Sequence, residues 1–248
     1  MRRKSRSSAA ANAVRNRILS ALLRTDYRRL VAKMEHVELA RGAVLYRAGQ
    51  DIEYVYFPED AVVAMVNTTQ DNRTVEVGVI GREGMTGINI FLGGLRTPEK
   101  AIVQLSGGAL RMRSRDLQAE LQFGSPLQRV LIHYTQVLLA VISQLVACSQ
   151  HHSVEQRVAR WILTMHDYAY PNECVMSHES IAAMLGARRS GVSTAAAGLR
   201  DAGLIRYQRG RISVLDQRGL ERKSCECYRF IRKQYGGLRT RVPRLLAI

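Results

Sequence analysis

The stretch SHESIAAMLGARRSGVSTAAAGLRDAGLIRYQRGRISVLD, residues 177–216, decides the fold of the C-terminal half. Ser177 is a good N-cap, and Glu179 lies early enough to favour the helix dipole. Ile181, Met184 and Leu185 make the inward face of a short helix. Gly186 supplies the tight turn that a helix-turn-helix needs. A second helix is expected from about Arg188 to Asp201, with Val192, Ala196 and Leu199 inward. Arg189, Ser190, Ser193, Thr194 and Ala197 fall on its outward face. Gly191 and Gly198 each weaken such a helix by about 1 kcal/mol relative to Ala, so close packing against the groove or the partner helix is expected at both.

After Gly203 the sequence alternates into a hairpin with Arg209-Gly210-Arg211 at its tip. The pattern therefore predicts a winged helix-turn-helix. Arg188 and Arg189 stand at the end of the second helix that meets base edges in this motif, and arginine binds guanine O6 and N7 with two hydrogen bonds. Ser177, Ser190, Ser193 and Thr194 can serve bases or phosphate. Arg206, Arg209 and Arg211 would flank the backbone, where contacts set position and salt dependence. A single arginine of this kind is ordinarily a solvated surface charge; three in one hairpin after such a motif favour contact.

Charge is distributed in keeping with that reading. The 248-residue chain carries a formal charge of +16. Residues 1–17 hold six basic side chains and no acid, whereas residues 18–149 hold 14 bases against 13 acids. Residues 150–248 hold 17 bases against 8 acids. A neutral middle between cationic ends separates a polyanion-binding part from a part with another task. Residues 1–12 lack periodicity and read as a disordered basic tail.

Residues 13–35 have helical spacing, with a break expected near Thr25-Asp26. From 36 to 113 short stretches rich in Val, Ile and Tyr alternate with Gly, Asp and Asn spacers. That pattern indicates an antiparallel barrel or sandwich. Residues 114–123 read as a helix capped by Ser114. Pro126 then opens a long helix, in which Leu127, Leu131, Tyr134, Leu138, Val141, Leu145 and Cys148 recur at steps of four and three. This heptad seam is expected to be the interface of a parallel dimer, the alternative being burial within the monomer. A further helix follows to Pro171-Asn172, and a C-terminal helix is expected near 216–235. The expected divisions are 1–12 tail, 13–124 sensor, 125–149 dimer helix and 150–248 DNA-binding domain with a helical extension.

No apolar run is read as approaching the ~20 residues of a membrane span, and no secretory signal is evident. The cytoplasm follows, with reduced cysteines and no membrane partner. There is no Gly-rich phosphate loop, H-E-x-x-H or G-x-S-x-G, so no catalytic residue is expected. On a continuous helix Cys225 and Cys227 sit about 200° apart and cannot share a metal. Cys148 lies near His151 and His152 at a helix junction, and Cys174 and His178 stand four apart across a loop. None has the paired C-x2-C spacing of structural zinc, so no metal and no cofactor is expected. A Cys148 nucleophile beside His151, and an RNA- or membrane-surface-binding basic protein, are the readings from other classes.

FPEDAVVAMV (57–66), VEVGVIGREGMTG (75–87), HHSVEQRVARWIL (151–163) and GLIRYQRGRISVLD (203–216) resemble the Crp/Fnr family of bacterial transcriptional regulators. The tail LERKSCECYRFIRKQY (220–235) resembles an extension in an alphaproteobacterial subgroup. The resemblance implies an α+β protein: an antiparallel β-roll of the cyclic-nucleotide-binding type, a long dimerisation helix and a C-terminal winged helix-turn-helix. It implies a homodimer on palindromic double-stranded DNA, with RNA polymerase as a further partner. Arg189 falls on the family's recognition arginine, while Ser190 and Thr194 replace an acidic and a basic residue, so the target sequence is not carried over.

In the sensor, Gly87-Ile88 stands where nucleotide-binding members have Gly-Glu. Glu99 and Lys100 stand where they have Arg-Ser. Gly84, Met85, Gly87, Glu99 and Lys100 mark the candidate effector pocket. Loss of both polar partners and a new negative charge argue against cyclic AMP; a cyclic dinucleotide or another small anion is the alternative. Residues 1–147 contain no cysteine, which excludes the family's N-terminal iron–sulfur centre. His36 and His133, the histidines before 150, read as structural rather than as haem ligands.

Overall fold

The computed structural model describes residues 14–121, 124–169 and 174–246, with side chains through residue 237. The basic tail and the Pro171-Asn172 helix stop lie outside the described residues. The chain begins with two short helices, α1 (Arg17–Ser20) and α2 (Arg24–Val31). Strands β1 (Glu35–Leu39), β2 (Val44–Tyr46), β3 (Tyr54–Pro58), β4 (Val62–Thr68) and β5 (Thr74–Ile80) follow. After α3 (Ile88–Phe91) come β6 (Lys100–Leu105) and β7 (Gly107–Arg113), then α4 (Ser114–Glu120). These strands form two antiparallel sheets, ordered β1-β7-β3 and β2-β6-β4-β5. Val55, Phe57, Val63, Ala101, Val103 and Met112 fill the space between them, as expected of a β-roll whose strands alternate inward apolar residues.

The long helix α5 (Pro126–His151) carries Pro126 at its first turn, and the Ser125 hydroxyl accepts from the Gln128 N–H. Its partner α6 (Val154–Ala169) leads to the short strand β8 (Cys174–Val175), then α7 (His178–Leu185) and α8 (Arg189–Asp201). Strands β9 (Ile205–Gln208) and β10 (Arg211–Val214) form the wing, with β8 as a third strand in the order β8-β10-β9. Helices α9 (Gln217–Lys223) and α10 (Cys227–Leu246) complete the chain.

Several expectations are corrected. The N-terminal helical break falls at 21–23, and Thr25-Asp26 instead lie in the first turn of α2, where Asp26 suits the dipole. Arg113 rather than Ser114 is the cap of α4; the Ser114 hydroxyl is spent on the Ile52 carbonyl. The C-terminal helix breaks at 224–226 because Ser224 turns extended, with its hydroxyl on the Glu221 carbonyl. The extension packs on both halves: Leu220 and Tyr228 lie in the core of the DNA-binding half. Ile231 and Tyr235 of α10 enter the core of the β-roll half.

The dimer seam is the largest correction. Leu127, Leu131, Tyr134, Leu138, Val141 and Cys148 are all buried within the protomer, and Leu145 packs partly buried against the same core. They face the roll and α10, so they are closed before any partner arrives. The exposed apolar residues of α5 are Ile132, Leu139 and Val146, at 48%, 63% and 60% exposure. The membrane reading also changes: by length and composition alone α5 could cross a bilayer. His133, Thr135, Gln136, Ser143 and Gln144 interrupt its apolar runs without adding a fixed charge, which is why counting runs misses it. Here it is the spine of the fold, with one face packed in the core.

The two halves are joined through polar groups as well as apolar ones. Val62 and Val79 of the roll sit in the core of the DNA-binding half. Trp161 Nε1 donates to Glu76 at 3.4 Å, and the Tyr168 hydroxyl donates to Glu83. Burial drives the Glu83 carboxyl from its ordinary 4.5 up to about 7, against backbone hydrogen bonds and the Arg17 and Arg82 charges. A carboxyl raised in the fold holds its proton more tightly there than in the unfolded chain. Its contribution to stability is therefore full below about 4.5 and is lost as pH climbs through about 7. Glu83→Gln is expected to stabilise the protein above pH 8 by about 1–3 kcal/mol and to change little at acid pH. Thermal melts across pH check this; a variant that melts lower than the parent at alkaline pH contradicts it.

Candidate nucleic-acid interface

Helix α7 starts where expected, with Ser177 Oγ accepting from the Ser180 N–H at 3.1 Å. It stops at Gly186, whose φ of 58° and ψ of 38° place it in the left-handed region. Ala187 N–H then reaches back to the Ala182 carbonyl at 2.9 Å, closing the turn. Glycine is favoured here both by this backbone and by space, since an added Cβ would lie 3.3 Å from Val75 of β5. The same approach seats α7 on the roll.

Helix α8 packs chiefly on α6, α7 and β9. Val192, Ala195, Ala196 and Leu199 are buried, and Arg188, Arg189, Ser190 and Thr194 are exposed. Arg188 is the cap residue and makes no side-chain cap bond. The positive end of the α8 dipole is thus not capped by a side chain, as suits an approaching phosphate. Arg189 Nε lies 3.5 Å from Glu179 Oε2, with both side chains largely exposed. Such a pair is weak and yields readily to a better acceptor. Within the protomer neither helical glycine is crowded. Gly198 has open space beside it, and Gly191 meets Val154 only at ordinary contact distance.

The wing turns through Arg209 and Gly210, with φ of 50° and 76°. Two left-handed residues in succession match the twist of a tight hairpin. Arg206, Arg209 and Arg211 are exposed on it. The structure therefore brings Arg188, Arg189, Ser190 and Thr194 to the exposed start and outer face of one helix, with the wing arginines on the hairpin that follows. It treats Ser193 differently: its hydroxyl lies 3.0 Å from His178 Nδ1. Ser177 likewise spends its oxygen on the cap.

Sequence reasoning misses His178 as an interface residue. Its ring stacks on Tyr207 with centroids 4.3 Å apart, and the Tyr207 hydroxyl donates to the Met176 carbonyl at 3.2 Å. One imidazole thus ties α7, α8 and the wing together. Desolvation, with Arg189 nearby, lowers its pKa and favours the neutral ring. Its only sequence signal is an aromatic partner in the wing, at a separation no local pattern reveals.

In the roll, Gly84, Met85 and Gly87 lie together and buried. An added Cβ at Gly84 would stand 2.5 Å from the Tyr134 hydroxyl, which donates to the Met85 carbonyl at 3.2 Å. The Gly87 N–H is taken by the Tyr46 hydroxyl at 3.1 Å. Glu99 accepts from the Thr97 hydroxyl, and Lys100 opens β6 opposite Val66. Tyrosine hydroxyls therefore occupy the Gly87 N–H and the Met85 carbonyl.

A β-roll joined by a long helix to a winged helix-turn-helix defines a class of DNA-binding transcriptional regulators. Residues 36–122 match the cyclic nucleotide-binding domain and residues 156–223 the Crp-like helix-turn-helix domain. The chain belongs to the Crp/Fnr family of transcriptional regulators. Its members are regulators and not enzymes. Among solved structures it is similar to FixK2 from Bradyrhizobium japonicum, at 17% identity and a TM-score of 0.66 over 77% of this chain and 98% of that one. A CRP-family transcriptional regulator from Thermus thermophilus aligns at 21% identity and a TM-score of 0.63, covering 76% and 96%. The c-di-GMP responsive global regulator CLP from Xanthomonas campestris aligns at 16% and 0.59, covering 77% and 98%. No curated protein matches by sequence.

His178→Ala is expected to cost about 1 kcal/mol of duplex-DNA affinity, through loss of one half-buried hydrogen bond and a ring stack, with sequence preference unchanged. Anisotropy titrations with matched and mismatched duplexes check this; altered preference would make His178 a reader and not a support.

Proposed function

We propose that the chain binds duplex DNA sequence-specifically as a homodimer on a two-fold-symmetric operator, in the cytoplasm, and adjusts transcription through RNA polymerase. The observation that carries this reading is the exposed start of α8, with Arg188 and Arg189, followed by a wing bearing Arg206, Arg209 and Arg211. Arg189 is the base reader and Arg209 a phosphate contact. Arg189→Ala is expected to cost about 1–3 kcal/mol on the selected duplex and to relax preference at one base position. Arg209→Ala is expected to weaken all duplexes alike and to reduce the salt slope by about one. Binding that survives Arg189→Ala with preference intact contradicts the assignment.

The homodimer rests on Ile132, Leu139 and Val146, spaced seven apart and exposed on one face of α5. Residues seven apart lie on one face of a helix, and an exposed apolar stripe marks an association surface. Leu139→Glu places two like charges across a two-fold axis. It is expected to convert dimer to monomer in sedimentation and to lower operator affinity at least tenfold. A variant that remains dimeric overturns this interface.

The effector is not cyclic AMP in this reading. Glu99 brings a negative charge to the cassette, and Tyr46 and Tyr134 occupy the Gly87 N–H and the Met85 carbonyl. Calorimetry with cyclic AMP tests it, and micromolar binding would contradict it.

A further inference from the structure

We propose that Cys148, His152, Cys225 and Cys227 form a structural zinc site that ties the end of α5 to the junction of α9 and α10. The break at 224–226 overturns the reading that Cys225 and Cys227 face apart on one helix. Cys225 lies in the extended link and Cys227 opens α10, so both turn toward Cys148 in the penultimate turn of α5. The four donor atoms all lie within 4.8 Å of one another. Cys148 Sγ and Cys225 Sγ are 3.6 Å apart, as are Cys227 Sγ and His152 Nδ1. Zinc bonds of about 2.3 Å to sulfur and 2.05 Å to nitrogen give tetrahedral edges of about 3.8 and 3.6 Å. Two of the six edges are thus already near the length a single tetrahedral ion requires, and none exceeds 4.8 Å. A multi-iron cluster would spread its thiolates over different iron atoms and hold them further apart.

The surroundings fit a thiolate-rich ion. His152 Nε2 lies 3.2 Å from Glu226 Oε1, so the proton belongs on Nε2 and the Nδ1 lone pair faces the thiols. That carboxylate–histidine pairing orients and strengthens a metal-binding imidazole. Gln144 Nε2 donates to Cys227 Sγ at 3.1 Å. Zinc with three thiolates carries a net negative charge, and Cys148 lines one cavity with Arg157 and Arg160. Arg160 is 6% exposed and its Nε has no hydrogen-bond partner. Glu76 lines the same cavity, and a negative site at Cys148 would add a second anion beside this buried cation.

The position gives the site its consequence. His152 caps α5 and Val154 opens α6, so a bound ion pins the hinge between the long helix and the DNA-binding half. It would hold α10 against α5 at the same point.

The test is metal analysis of the full chain purified without added metal or chelator, with one aliquot alkylated at lysis. One zinc per chain is expected, retained in Cys174→Ser, whose buried thiol lies outside the cluster, and lost in Cys225→Ser and Cys227→Ser. Glu226→Gln is expected to lower zinc affinity roughly tenfold while leaving all four ligands. If the cysteine variants do not fold, cobalt added to reduced, metal-free parent protein decides. Tetrahedral d–d bands with a sulfur-to-cobalt charge-transfer band at one cobalt per chain support the site. Absence of both zinc and cobalt bands overturns it. So does iron with acid-labile sulfide, or a Cys148–Cys225 disulfide in the alkylated aliquot.

Discussion

One helix must satisfy two demands at once. Helix α5 closes the core of the roll through Leu127, Leu131, Tyr134, Leu138 and Val141, and it presents Ile132, Leu139 and Val146 outward. Both faces repeat with a period near seven, because any straight helix that serves two apolar surfaces carries two stripes. Everything else hangs on the inner one. The Tyr134 hydroxyl fixes the Met85 turn, α10 lies along the same helix, and α6 continues from its end toward the helix-turn-helix.

The join between the halves is where a signal would have to travel. Gly186 lets α7 approach Val75, and Trp161 and Tyr168 reach the carboxylates of Glu76 and Glu83. Burial pushes both carboxyls up to about 7. Carboxyls raised in this way hold their protons more tightly in the fold than in the unfolded chain, so their contribution to stability falls as pH rises through about 7. Tyr228, through its hydrogen bond to Asp167, ties α10 to α6 beside it, so the C-terminal extension braces the same surface.

The helix-turn-helix was legible because its signals are local. Ser177, Gly186 and the inward set Val192, Ala196 and Leu199 act within a turn or two of themselves, and the strands of the roll announced themselves by alternation. What escaped was set by distance along the chain. A seam predicted at Leu127–Cys148 has the right period, but which stripe faces the core depends on where the roll and α10 dock. His178 needed Tyr207, and Cys148 needed a break at Ser224 that places Cys225 and Cys227 beside it. Periodicity finds faces; it does not say which neighbour covers each.

A two-fold pair of these chains would present two recognition helices to one face of duplex DNA. Selection of bound duplexes from a random pool, followed by sequencing, is the decisive experiment. An inverted repeat is expected, with half-sites centred one helical turn apart, roughly 34–36 Å along the axis. Enrichment of a single asymmetric site, or of no sequence at all, would contradict it.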